Sequence, residues 1–249
     1  MDNYTTITQH LENLITIVAP GFRIPATTWI LENENTVTGA YGGEEKTWLR
    51  GGKDAGIYST ITVSYDEEGL PEEEHVLIWP TGLPENLSVS IQSAPDFFNP
   101  EIEQLTLNLT APASQLSEIL GIKTDSDDGF SFFKKLTEKC FPEFAVKEEH
   151  WQKVEGPDPL DDSQSTEGTM VQVMGTDDYG FRRTVESYIE ENSSDEAAIE
   201  AVIFTASGLP LETEMTMSAT IPPAKKEQLF ALHITAVGDI FKEILNRLV

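Results

Sequence analysis

Two stretches of this chain carry the same turn followed by the same kind of strand. GLPLETEMTMSA, Gly208 to Ala219, repeats the pattern of GLPENLSVSIQS, Gly82 to Ser93, 126 positions later. PGFRIPATTW matches PEFAVKEEHW at an offset of 122, and TLNLTAPASQLSEIL matches ALHITAVGDIFKEIL at an offset of 125. Because these matches keep their order along the chain, they predict an internal duplication with halves at residues 1–122 and 123–249.

Periodicity predicts the elements of each half. Leu11, Leu14 and Val18 recur at helical spacing, as do Leu136 and Cys140 in the second half, so each half begins with a helix. Alternating strands follow, and SQLSEIL and DIFKEIL predict closing helices. ENENTVTGAYGGEEK, YDEEGLPEEE and VEGPDPLDDSQSTEG are predicted loops. The predicted class is α+β: two tandem repeats, each a mostly antiparallel meandering sheet with an N-terminal and a C-terminal helix, packed with pseudo-twofold symmetry.

The strong negative charge of the chain limits the classes of partner that we expect it to bind. Its 249 residues carry a formal charge of −27, which repels nucleic-acid phosphates and anionic lipids and attracts basic proteins. No long apolar window and no signal-peptide pattern are present, and Cys140 is the single cysteine. We therefore expect a cytoplasmic protein with no direct contact to nucleic acid or membrane.

Residues that carry catalysis or bind metals show no recognisable spacing. His10, His75, His150 and His233 form no ligand pair, and Cys140 occupies an apolar helical position, as a buried side chain would. Nucleophile motifs and phosphate-binding glycine loops are missing from the sequence. We expect no cofactor, no metal and no enzymatic activity; an enzyme with a site between the halves is the less favoured alternative.

The polar sides of the first-half strands are uncharged, although the chain is acidic. Since an ordinary solvated face in such a chain should carry carboxylates, these faces are interpreted as a contact surface, against the alternative that Thr and Ser simply favour strands. The nine residues are Thr60, Thr62, Ser64, Ser88, Ser90, Gln92, Thr106, Asn108 and Thr110. Thr62→Glu together with Thr106→Glu should abolish the contact and leave the fold intact.

These features favour a non-enzymatic binding protein that holds a basic protein partner, as an immunity-type inhibitor, a secretion chaperone or an adaptor. Besides Thr60, Thr62, Ser88, Ser90, Thr106 and Asn108, the candidate partner-binding residues are Glu44, Glu45, Glu67, Glu68 and Glu73, in acidic segments predicted to be loops. The alternative is a structural subunit that self-associates into a homo-oligomer through its sheets. Purified protein would show such association without any partner.

Overall fold

The computed structural model of the chain describes residues 2–23, 28–37, 42–66, 68–69, 71–95, 103–123, 129–154, 170–189, 198–220 and 228–248. Within these ranges the fold is mixed α+β, with four helices and one open antiparallel sheet of 12 strands. The α+β class predicted from the sequence is confirmed.

Helices enclose a run of six strands in each half of the chain. The first half comprises α1 (Asp2–Val18), β1 (Trp29–Val37), β2 (Gly43–Gly52), β3 (Ala55–Tyr65), β4 (Pro71–Thr81), β5 (Ser88–Pro95), β6 (Glu103–Pro112) and α2 (Ala113–Ile119). The second comprises α3 (Gly129–Cys140), β7 (Gln152–Lys153), β8 (Met170–Gly175), β9 (Gly180–Ile189), β10 (Ala198–Ser207), β11 (Glu214–Thr220), β12 (Leu229–Val237) and α4 (Gly238–Leu248). The predicted opening and closing helices of both halves are therefore present.

Strand order differs from the predicted sheet for each half. The order is β1-β2-β3-β4-β5-β6-β12-β11-β10-β9-β8-β7, so one sheet contains all twelve strands. A hydrogen-bonded neighbour for β6 and β12 removes two exposed strand edges, which a separate sheet in each half would have left unpaired. The sheet ends at β1 and β7.

Two predicted loops are partly strand. ENENTVTGAYGGEEK, residues 32–46, contains the end of β1 and the start of β2, and Pro71 within YDEEGLPEEE begins β4. Pairing explains both differences: Asn35 to Val37 align with Gly43 to Glu45 across one hairpin, and Pro71 aligns with Tyr65 of β3 across the next. Residues 155–169, which hold nearly all of VEGPDPLDDSQSTEG, lie outside the described residues.

Compact packing divides the chain into two units. The first unit holds residues 1–109, 235–247 and 249, and the second holds residues 110–234 and 248. The first therefore includes α1, β1 to β5, most of β6 and nearly all of α4, whereas the second includes α2, α3, β7 to β11 and most of β12.

Each unit has a core between a helix and two neighbouring strands. In the first unit α1 packs on β4 and β5, and Leu11, Ile78 and Ile91 have no exposed surface. In the second unit α3 packs on β10 and β11, and Phe133 stacks on Phe204 with 6.0 Å between ring centroids. Cys140 is also fully buried, as the apolar helical pattern predicts.

The GLP turns that begin at Gly82 and Gly208 have similar backbone φ angles. Gly82 and Gly208 have φ angles of +78° and +83°, and the residues four positions on, Asn86 and Glu212, also have positive φ. Leu87 N–H donates to the Pro84 carbonyl at 3.1 Å, and Thr213 N–H donates to Pro210 at 3.1 Å. Both glycines occupy the left-handed region that a side chain disfavours.

Alanine at either GLP glycine should destabilise the fold. A Cβ at Gly82 would meet the backbone carbonyl of Asp54, and a Cβ at Gly208 would lie 2.8 Å from the Asp178 carbonyl oxygen. Positive φ alone costs roughly 1–2 kcal/mol for alanine, so we expect a larger loss of unfolding free energy in urea titrations. Gly238→Ala is the control, because its φ is not positive and its Cβ meets nothing within 4 Å. An equal loss in the control would contradict the backbone argument.

Candidate interaction surface

An apolar row crosses the first four strands of the sheet. Ile30 aligns with Leu49, Leu49 with Tyr58, and Tyr58 with Trp79. Directly opposite residues on antiparallel strands point to the same face, so these four side chains form a continuous line, here called the apolar row. Tyr58 and Trp79 stack with their ring centroids 5.4 Å apart and their planes 17° apart. Ile30, at the edge of the sheet, is 59% exposed.

Threonines surround the apolar row on the same face, here called the threonine face. Thr47 aligns with Thr60, and their hydroxyl oxygens lie 3.0 Å apart. Thr60 in turn aligns with Leu77, which is 37% exposed and opposes Gln92 on β5. The next row contains Thr62. The opposite face carries the fully buried residues of the core against α1.

A groove opens at one end of the threonine face. It has a volume of about 490 Å³, and its lining includes Leu77, Trp79, Leu83, Ser88 and Ser90. Ser88 is exposed, while Trp79 and Ser90 are half-buried. Apolar walls with a few hydroxyl groups suit the side chains of a bound protein or peptide.

The structure brings together four of the uncharged candidates predicted from the sequence. Thr60 and Thr62 lie near the apolar row on β3, and Ser88 and Ser90 line the groove on β5. Thr106 has another role, because its hydroxyl oxygen lies 2.9 Å from that of Thr235 on β12. Its replacement by Glu would disturb the sheet itself, so the double substitution with Thr62 is a poor test of binding.

Asn108 lies on the same side of β6 as Thr106. It is half-buried and alternates with Leu107 and Leu109, which point into the core. The polar alternation predicted for this strand is therefore correct. Asn108 also has interactions within the protein, and its role as a partner-binding residue stays a prediction.

The acidic candidates occupy varied positions. Glu44 and Glu45 lie in β2 rather than in a loop, because β2 pairs with both β1 and β3 along this stretch. Glu45 opposes Thr62 and accepts a hydrogen bond from Asn35 at 3.4 Å. Glu68 is exposed in a turn, where its N–H donates to the Asp66 carboxylate at 2.9 Å. Glu67 and the side chain of Glu73 lie outside the described residues.

Lys46 neutralises part of the acidic edge. Its ammonium group lies 2.8 Å from a Glu44 carboxylate oxygen and 3.1 Å from one of Glu34. Hydrogen bonds to Glu44 and Glu34 raise the pKa of Lys46 above its ordinary value. Glu45, unlike Glu44 and Glu34, lies on the threonine face and accepts its hydrogen bond from Asn35. The acidic side chain of Glu45 therefore lies beside Thr62 on this face.

Sequence reasoning missed the apolar row. The predicted contact surface includes Thr and Ser residues on the polar sides of the strands but not Tyr58. Tyr58 nevertheless lies on the same side of β3 as Thr60. Trp79 and Leu77 belong to HVLIWP, which is almost continuously apolar and conceals which residues face the core. Applying strict alternation from Thr60 back to Tyr58 could have revealed the aromatic pair.

Among the described residues of the second unit, no pair of stacked rings joins β9 and β10, the strands that correspond to β3 and β4. Arg182 of β9 aligns with Thr205 of β10, and Thr205 aligns with Thr216 of β11. The Arg182 guanidinium lies 3.5 Å from the Asp177 carboxylate, so this position is charged. Thr205 and Thr216 thus offer matched control positions for substitutions on the threonine face.

His10 lies on α1, away from the threonine face. Burial and the positive charge of Lys242 on α4 lower the pKa of His10 below its ordinary value of 6.5. Protonation therefore favours the unfolded chain, and this destabilising effect grows as pH falls below about 6.5. We expect urea titrations of the wild type and His10→Gln at about pH 7.5 and about pH 5.5 to show a smaller acid loss in the variant. Equal losses would contradict this assignment.

No group of three or more His, Cys, Asp or Glu side chains that could hold a metal ion occurs in the described part of the chain. None of its described helices combines the length and apolar character that a membrane crossing requires. Comparisons with family models, with curated proteins and with solved structures find no match.

Proposed function

We propose that the chain is a non-enzymatic acidic binding protein that engages a basic protein partner through the threonine face of its first unit. The apolar row carries this proposal: an exposed isoleucine and a stacked Tyr58–Trp79 pair lie among hydroxyl side chains in a chain of net charge −27. Aromatic side chains are enriched at the centres of protein interfaces, where charged residues are depleted.

The negative net charge of the chain favours a basic protein as the partner. A net charge of −27 accelerates encounter with a basic protein and repels acidic ones. The hydroxyl and apolar side chains of the threonine face then provide contacts that need no unpaired buried carboxylate. The proposal includes an immunity-type inhibitor, a secretion chaperone and an adaptor, and the identity of the partner decides among them.

Charged substitutions at Thr62 test the proposal. A tagged chain is used to retain proteins from an extract of its own cells at about 50 mM and about 500 mM salt. We expect the wild type to retain one basic protein, more strongly at low salt. Both Thr62→Lys and Thr62→Glu should lower the apparent affinity at least about tenfold, because either ion loses its water in the contact.

The opposite signs of these two variants separate a packed contact from attraction at long range. If attachment were purely electrostatic, Thr62→Glu would strengthen it, and that result would contradict docking on this face. Thr205→Lys and Thr205→Glu, on β10 of the second unit, are the matched controls and should retain the partner. Retention of further copies of this chain alone would favour a self-associating subunit.

We further infer that residues 1–122 and 123–249 descend from a duplication and have a pseudo-twofold relation. The order of one helix, six strands and one helix in both halves supports this inference. The GLP turns agree in φ, and Gly51 and Gly175 have φ angles of +98° and +97° opposite Gly56 and Gly180. Loss of the aromatic pair from one copy would leave the threonine face as a feature of the first unit alone.

A further inference from the structure

We propose that the free edge of β1 binds an extended, basic segment of the protein partner as an additional strand. This inference rests on the proposed function and names how the partner attaches. β1 is the last strand at its end of the sheet, and its described pairing is with β2 alone. Each residue from Ile30 to Thr36 is exposed, on both faces of the strand.

The apolar row ends at this edge with Ile30, on the last strand of the sheet. Ile30 is 59% exposed, although the other members of the row are half-buried or buried. A residue on an added strand directly opposite Ile30 would have its Cβ about 4.5–5.5 Å away. An apolar side chain there would extend the row by one strand and cover Ile30.

Backbone pairing is available beside this contact. β1 has an irregularity between Leu31 and Asn33, where the register with β2 shifts. Such bulges protect many sheet edges. Here, however, the register is unbroken over the five residues from Asn33 to Val37. Five residues are a common strand length, so this stretch is long enough to pair with an added segment.

Charge favours a basic segment over a second copy of this chain. β1 contains Glu32 and Glu34 and has no Lys or Arg. Lys53 lies 3.5 Å from Glu32, and Lys46 lies 3.1 Å from Glu34 and 2.8 Å from Glu44. These two lysines are outnumbered by the four acids of the hairpin, Glu32, Glu34, Glu44 and Glu45. Pairing of β1 with β1 of a second copy would place like charges together, which destabilises a strand pair.

A synthetic probe tests the edge directly. The probe is a capped ten-residue peptide of alternating Lys and Val, and its matched control has N-methyl groups on alternate residues. Both peptides have the same charge and side chains, but the control cannot donate backbone hydrogen bonds along one edge. We expect the probe to bind in a salt-dependent manner and the N-methylated peptide to bind at least about tenfold more weakly. Equal binding of both would overturn the inference.

Two proline variants locate the binding edge. Neighbouring residues direct their N–H groups to opposite sides of a strand, so one of Asn33→Pro and Glu34→Pro removes an outward donor and the other disrupts pairing with β2. Urea titrations identify the variant that keeps the stability of the wild type. We expect this variant to lose probe binding, whereas Asn33→Ala or Glu34→Ala at the same position keeps it.

The results distinguish failure of the edge from failure of the proposed function. If Thr62→Lys removes probe binding and the stable proline variant does not, the partner docks on the threonine face and the edge inference is wrong. If the probe does not bind the wild type, the edge inference is also wrong, and retention of a basic protein at two salt concentrations still decides the proposed function.

Discussion

Leu136→Ala should lower the free energy of unfolding by about 2–5 kcal/mol. Leu136 has no exposed surface and lies on α3, between the fully buried Phe133 and Cys140 in sequence. Removing three side-chain carbons there leaves a cavity, because neighbouring rings relax only in part. For a chain of this size the melting temperature should fall by at least about 4 °C, as measured by circular dichroism.

Leu211→Ala makes the same chemical change at an exposed position. Leu211 is 84% exposed in the second GLP turn, and its replacement should change stability by no more than about 0.5 kcal/mol. Similar losses in the two variants would show that α3 does not form the core of the second unit.

Trp79→Ala should weaken retention of the basic partner by about thirtyfold or more. Buried aromatic anchors at interfaces contribute at least about 2 kcal/mol, which corresponds to this factor. Trp79 combines the stack on Tyr58 with a position in the groove beside Ser90. Retention from cell extract, titrated against the concentration of tagged chain, measures the effect.

Trp151→Ala is the matched control for this change. Trp151 belongs to the second unit and packs edge-on against Phe130, with 4.7 Å between ring centroids. We expect this variant to lose stability but, below its melting temperature, to retain the partner as the wild type does. Equal loss of retention in both variants would indicate a general effect on folding and would contradict a specific role for Trp79.

Local patterns predicted the helices and much of the core. The helical spacing of Leu11, Leu14 and Val18 is confirmed by α1, whose inward side chains are buried. Leu105, Leu107 and Leu109 alternate with polar residues in sequence and are all buried in β6. These predictions succeed because burial of one face imposes its period on the sequence.

Longer-range features could not be read from local patterns. The neighbouring positions of β6 and β12 in one sheet depend on strands more than a hundred residues apart, and their alternation would be the same in two separate sheets. Likewise, β1 reads as a loop because ENENT is polar, yet pairing with β2 makes it a strand. When a strand is exposed on both faces, its composition is polar and does not indicate that its backbone pairs with a neighbouring strand.

The candidate surface was predicted in its polar part and missed in its apolar part. Thr60 and Thr62 were found because uncharged residues stand out in an acidic chain. The apolar row depends on register, since Ile30, Leu49, Tyr58 and Trp79 come from four strands and align only after pairing. A single sequence does not specify that register.

Site-specific cross-linking from the groove tests the central claim most directly. A photoreactive benzoylphenylalanine replaces Ser88, which is exposed and lines the groove, and replaces Leu211 in a control chain. After irradiation in the native cells, we predict a cross-link to a basic protein from position 88 and none to that protein from position 211. Cross-links to the same protein from both positions, or from position 88 only to another copy of this chain, would contradict docking of a basic partner on the threonine face.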